Sequence, residues 1–107
     1  MSTFFIKRND TSPAFQATLK DASDTAVDLT GATLRFHMVT PSGTTVVDAA
    51  ATAVTATAGI CKYVWATGDT ASAGDFSAEF EVTYADSTVE TFPNYGYETV
   101  RIYEDLL

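Results

Sequence analysis

In four separate stretches of this sequence, apolar and polar residues alternate one for one. "AFQATL" sets Phe15, Ala17 and Leu19 against Gln16 and Thr18, and "ATLRFHMVT" sets Leu34, Phe36 and Met38 against Thr33, Arg35 and His37. "DFSAEFEVTY" sets Phe76, Ala78, Phe80, Val82 and Tyr84 against Ser77, Glu79, Glu81 and Thr83, and "YETVRIY" sets Val100 and Ile102 against Thr99 and Arg101. Successive side chains of a strand point to opposite faces, so a period of two marks a strand with one face buried and one face wet. Four such runs predict an antiparallel sheet with a single core side.

The segments between the runs carry turn chemistry. "TPSGTT", "ATGDTASAG" and "FPNYG" hold Pro, Gly and Ser at positions that need unusual backbone angles or side-chain-closed turns, and Ala85, Asp86 and Ser87 form the tip of a hairpin in "EVTYADSTVETF". The segment 48–59, "DAAATAVTATAG", has two readings. Asp48 as a helix N-cap, an alanine body and Gly59 as the stop describe a helix. Thr52, Val54, Thr55 and Thr57 are β-branched and favour a strand, and no wide apolar stripe recurs at helical spacing. The strand reading is preferred because every neighbour is β. The expected strands cover about 3–8, 14–20, 32–40, 45–48, 51–56, 60–66, 75–84, 88–92 and 97–103, with some merging. The predicted fold is all-β, an immunoglobulin-like antiparallel sandwich of about seven or eight strands in one domain, 1–107, with a closed barrel as the alternative. The Cys…Trp…Cys spacing of true immunoglobulin domains is absent.

Charge and cysteine content narrow the function. The net charge is −8, and Lys7 and Arg8 are the only adjacent cations. Affinity for nucleic acid comes mainly from Lys and Arg displacing counterions, and anionic membranes attract the same residues, so neither is expected as a partner. Cys61 is the only cysteine, so no internal disulfide is expected, and no signal peptide or membrane span is expected from the hydropathy of the chain.

Each group able to do chemistry has a plainer role. Glu79 and Glu81 share a strand face about 6.5–7 Å apart, a separation that also suits inverting glycosidases. Any E-x-E strand face produces that spacing, however, and an acid catalyst needs burial or a neighbouring charge to raise its pKa. His37 has no second histidine for a metal site, and Cys61 has no CxxC partner. Asp21, Asp24 and Asp28 lack the D-x-D-x-D-G pattern of a calcium loop and read as turn formers. Trp65 reads as core, although an exposed Trp65, Tyr95, Tyr97 or Tyr103 could stack on a sugar. No catalytic residue, metal or cofactor is expected.

The order of strands and loops resembles a known family. "KRNDTSP", "DLTGA" ahead of a strand, "GDT…AGDFSAEFEVT" and "TFP" are similar to the N-terminal immunoglobulin-like domain of phage baseplate upper proteins and related small tail proteins, over about Phe5 to Leu106. The resemblance implies a non-enzymatic virion structural protein of the tail or baseplate, assembled in the host cytoplasm. It also implies partners among other virion structural proteins and a homo-oligomer within the assembly. Aromatics and Arg are enriched at interfaces, so Phe92, Tyr95, Tyr97, Arg101 and Tyr103 in the final third are the candidate interface. A carbohydrate-binding module or a capsid decoration protein is the alternative.

Overall fold

The two longest alternations become the strands at the centre of the fold. In the computed structural model, which describes residues 3–106, β3 (Thr33–Val39) pairs antiparallel with β6 (Gly74–Thr83). Leu34 lies opposite Val82, Phe36 opposite Phe80 and Met38 opposite Ala78, and all six are at most 5% exposed. The intervening pairs, Arg35 with Glu81 and His37 with Glu79, point outward. The remaining strands are β1 (Thr3–Lys7), β2 (Phe15–Thr18), β4 (Thr45–Thr55), β5 (Ile60–Tyr63), β7 (Val89–Phe92) and β8 (Glu98–Tyr103). The all-β class and the strand number agree with the sequence.

The arrangement departs from a plain antiparallel sandwich. The hydrogen-bonded path runs β1-β8-β6-β3-β4-β5-β2, with β7 also on β6. The first and last strands, β1 and β8, are parallel, from Thr3 opposite Thr99 to Lys7 opposite Tyr103. Parallel neighbours need a long crossover, and here the whole intervening chain provides it. The two expected strands at 45–48 and 51–56 are one strand. β4 pairs with β3 through Ala51 and with β5 from Thr52 onward, and register shifts occur near both ends. Such irregularities bend a strand and let it pass from one sheet to the next. The path thereby curls until its two ends meet: the Phe4 ring of β1 stacks on the Phe15 ring of β2 at 5.0 Å. The result is one mixed sheet nearly closed into a barrel.

The ambiguous segment resolves as strand to Thr55, followed by a 3-10 turn at Ala56–Ala58 that Gly59 ends in the left-handed conformation. Three turns share one design. Asp21 closes on Thr25, Thr40 on Thr44 and Tyr84 on Thr88, each around three residues whose last has positive φ: Asp24, Gly43 and Ser87. This is the three-residue hairpin loop in which a tight turn is followed by one left-handed residue. In the first and third of these turns an aspartate locks the loop with its side chain: Asp21 accepts from the Ser23 and Thr25 amides, and Asp86 from the Thr88 amide and hydroxyl.

The core is dominated by rings. Phe36, fully buried, stacks on Tyr63 at 4.6 Å and meets Trp65 and Phe15 edge-on at 5.6 and 5.5 Å. Offset-stacked and edge-to-face contacts each add about 0.5–1.5 kcal/mol beyond the area buried. Trp65 is 3% exposed and so belongs to this core, as expected. A second layer of polar contacts fastens the loops: the buried Thr70 hydroxyl donates to the Asp10 carbonyl at 2.8 Å, and the Tyr63 hydroxyl donates to Asp69.

Candidate interface and the outer face of the sheet

The outward residues of β1, β8, β6, β3 and β4 form one continuous face, and its chemistry changes along its length. At the β1–β8 end, Phe5 of β1 lies in register with Arg101 of β8, which lies in register with Asp75 of β6. The Phe5 ring stacks on Tyr103 at 6.1 Å, and the Arg101 guanidinium carbon sits 6.0 Å from the Phe5 ring centre. Arg101 also grips Asp75 with two hydrogen bonds, 2.7 and 3.2 Å. That grip holds the Asp75 carboxyl below the usual carboxylate range and raises the guanidinium further, with Tyr103 contributing to the latter.

Of the candidate interface residues, Arg101 and Tyr103 belong to this cluster. Tyr97, about half exposed, borders a hollow beside it, and Tyr95 stands 92% exposed on the connection before β8. Phe92 is a correction. It is 2% exposed and lies opposite Phe80 in the β6–β7 pair, so it is a core residue and presents no surface. The sequence-based candidates omit Phe5, which is 55% exposed. The signal was present: "FF" in a strand sends one ring inward and the other outward.

Farther along the face is a charged ladder. His37 stands between two carboxylates, with Nε2 3.3 Å from Asp48 and Nδ1 3.5 Å from Glu79. Arg35 donates to the same Asp48 carboxylate at 2.9 Å, which holds that acid below its ordinary range. Glu79 and Glu81 both point outward on this face, as the alternation predicted, though they are half-buried rather than fully wet, and Glu79 is engaged with His37. Asp48 and Glu79 lie beside different nitrogens of the His37 ring, so the two carboxylates do not converge on one point as ligands of one ion would. Among the described residues no group of three His, Cys, Asp or Glu is placed to hold a metal. The aspartates of the 21–28 loop are occupied within it: Asp21 and Asp28 accept from their own turns, and Asp24 pairs with Lys20 at 3.7 Å. Cys61 is buried, and burial pushes its thiol up to about 12, so it is no nucleophile in the folded chain.

Fold and face together describe an all-β domain whose distinctive chemistry is displayed on an outer surface. A profile of the BppU N-terminal domain matches residues 5–93, most of the chain, and the chain belongs to that family, the N-terminal domains of phage baseplate upper proteins. The family implies a phage baseplate structural protein with a place in the virion. The matched span stops short of β8, so Arg101 and Tyr103 lie outside it. No curated protein matches the sequence. Among solved structures, the crystal structure of CopC from Methylosinus trichosporium OB3b is similar, with a TM-score of 0.55 at 10% identity, covering 100% of this chain and 89% of that one. At that identity the likeness is one of fold alone. Among the described residues no helix is long and apolar enough to cross a membrane.

Proposed function

We propose that this chain is a non-enzymatic docking module of the phage baseplate or tail, held in place by contacts with other virion structural proteins and with further copies of itself. One observation carries the reading: Phe5, Arg101 and Tyr103 gather into an exposed aromatic and guanidinium cluster on the outermost strands. Large rings and Arg are the residues that concentrate binding energy at protein interfaces, and here they sit at one end of a face that is otherwise polar. Tyr97 and Tyr95 extend the surface toward the connection before β8. Family membership supports the baseplate setting. Glu79 is taken up by His37, and the second acid, Glu81, stands beside it on the same strand face and not across an open site from it, which supports a role without catalysis, and the net charge of −8 supports partners other than nucleic acid or membrane. In this reading residues 1–107 act as one unit, assembled in the host cytoplasm.

The test is a chain carrying Phe5→Glu and Tyr103→Glu together. Both side chains are about half exposed, so the folded chain should survive the loss of their ring contact, which costs about 0.5–1.5 kcal/mol. The variant should be depleted from purified particles by quantitative mass spectrometry, and any oligomers of the wild-type chain should dissociate in analytical ultracentrifugation. Incorporation of the folded variant at wild-type copy number would overturn the assignment.

A further inference from the structure

Between the aromatic cluster and the charged ladder, the outer face is hollow. One depression of about 310 Å³ and another of about 350 Å³ share Pro41, Ser77 and Tyr97 as lining residues. They form a trough across β8, β6 and β3, of the size at which ligand sites begin. Its floor is built from short side chains, because Thr99, Ser77 and Val39 stand in register on the three strands. Pro41, in the turn between β3 and β4, and Tyr97, before β8, line both hollows. Asp75 and Arg101 close one end, and His37 and Glu79 close the other.

We infer that this trough is a saccharide site, taking a neutral pyranose of a glycan chain against the Tyr97 ring. Three observations select that chemistry. The one Lys or Arg lining the trough, Arg101, is already held by two hydrogen bonds to Asp75, so an anionic ligand finds no free guanidinium there. The groups that close the two ends offer donors and acceptors, already fixed by their partners, and suit a ligand that bears many hydroxyls and no charge. Fixed groups lose little rotamer freedom on binding. The half-exposed Tyr97 ring supplies what a sugar also needs, a flat apolar surface for the C–H face of the pyranose. A peptide strand fits less well. Residues 75–78 of β6 are paired with β8 on one edge, and from Ser77 with β3 on the other, so the floor has no open ladder for main-chain pairing. The stacking role that the sequence left open for Trp65 is excluded by its burial, and the geometry transfers it to Tyr97.

The site borders the docking surface and shares Arg101 and Tyr97 with it, but sugar binding is read on the free chain, so its failure is distinguishable from a failure of assembly. The test is a panel of neutral oligosaccharides built on glucose, galactose and N-acetylglucosamine, screened at millimolar concentration by saturation-transfer NMR and titrated where binding is seen. Tyr97→Ala should weaken binding about tenfold or more, equivalent to about 1.4 kcal/mol. Tyr97→Phe should keep the ring and most of the affinity. Ser77→Arg, which fills the floor from the solvent side, should abolish binding. Chemical-shift maps of each variant verify the fold. Absence of binding across the panel, or binding that survives both Tyr97→Ala and Ser77→Arg, would overturn the inference, as would a preference for acidic glycans.

Discussion

Replacing Gly59 by alanine tests how tightly the 3-10 turn is seated. Gly59 has φ of +71°, and a Cβ built there would lie 2.8 Å from both the Leu19 and Val27 carbonyl oxygens and 3.1 Å from the Val27 nitrogen. All three are backbone atoms, so no side chain can swing aside. The same backbone is committed elsewhere, with the Leu19 amide donating to Gly59 and the Val27 amide to Leu19 at 2.8 and 2.9 Å. Two costs follow. A left-handed conformation costs an ordinary residue about 1–2 kcal/mol, of which about 0.4–1 is recovered because alanine has less freedom to lose on folding. The clash adds the displacement of two hydrogen-bonded backbone segments, and the total should reach about 3 kcal/mol or more, the range of severe single substitutions. Gly43 is the control. Its φ is +92° but an added Cβ meets nothing within 4 Å, so Gly43→Ala carries the first cost alone, about 1 kcal/mol or less. Urea unfolding with a common m value measures both. For a domain of this size each kcal/mol moves the melting temperature by roughly 4–8 °C, so the two variants should separate clearly. Equal destabilisation of the two, within about 0.5 kcal/mol, would refute the steric account.

Three further outcomes follow from the same geometry. Ser87 holds φ of +72° at the place Gly43 holds in the sister turn, so Ser87→Gly should stabilise the fold by up to about 1 kcal/mol, read as a raised melting temperature. Cys61 should stay unreactive toward a thiol reagent at about pH 8 in the native chain and react on unfolding, since burial pushes its thiol up to about 12; rapid native-state labelling would contradict the buried placement. Asp28, Asp48, Asp75 and Asp86 all have folded pKa values below their ordinary range, so the unfolded chain takes up protons first as the medium acidifies. Their contribution is present above the ordinary carboxylate value of about 3.9 and is lost as pH falls through the lower folded values, and Asp48→Asn with Asp75→Asn should flatten that acid limb in denaturation series.

How much of this was legible depended on whether a feature was local. β3 and β6 could be read to within a residue because alternation is written in consecutive positions. β4 was split in two because its run of alanines blurs the alternation, and whether such a strand stays whole is decided by its neighbours β3 and β5. Phe92 was misplaced for a similar reason: its burial follows from lying opposite Phe80, a pairing that no short window contains. The ladder of Asp48, His37 and Glu79 joins three strands far apart in sequence, and only their register creates it. Phe5 was legible in principle from its neighbour Phe4.

The parallel pairing of β1 with β8 has a mechanical consequence. A pull on the chain ahead of Thr3 and beyond Tyr103 acts in opposite directions along two strands that run the same way, joined through five paired positions. Such a load slides the strands past each other and strains every rung at once, whereas pulling apart the adjacent ends of an antiparallel hairpin breaks its rungs one at a time. The first and last strands thus form a shear clamp, suited to a link under axial tension.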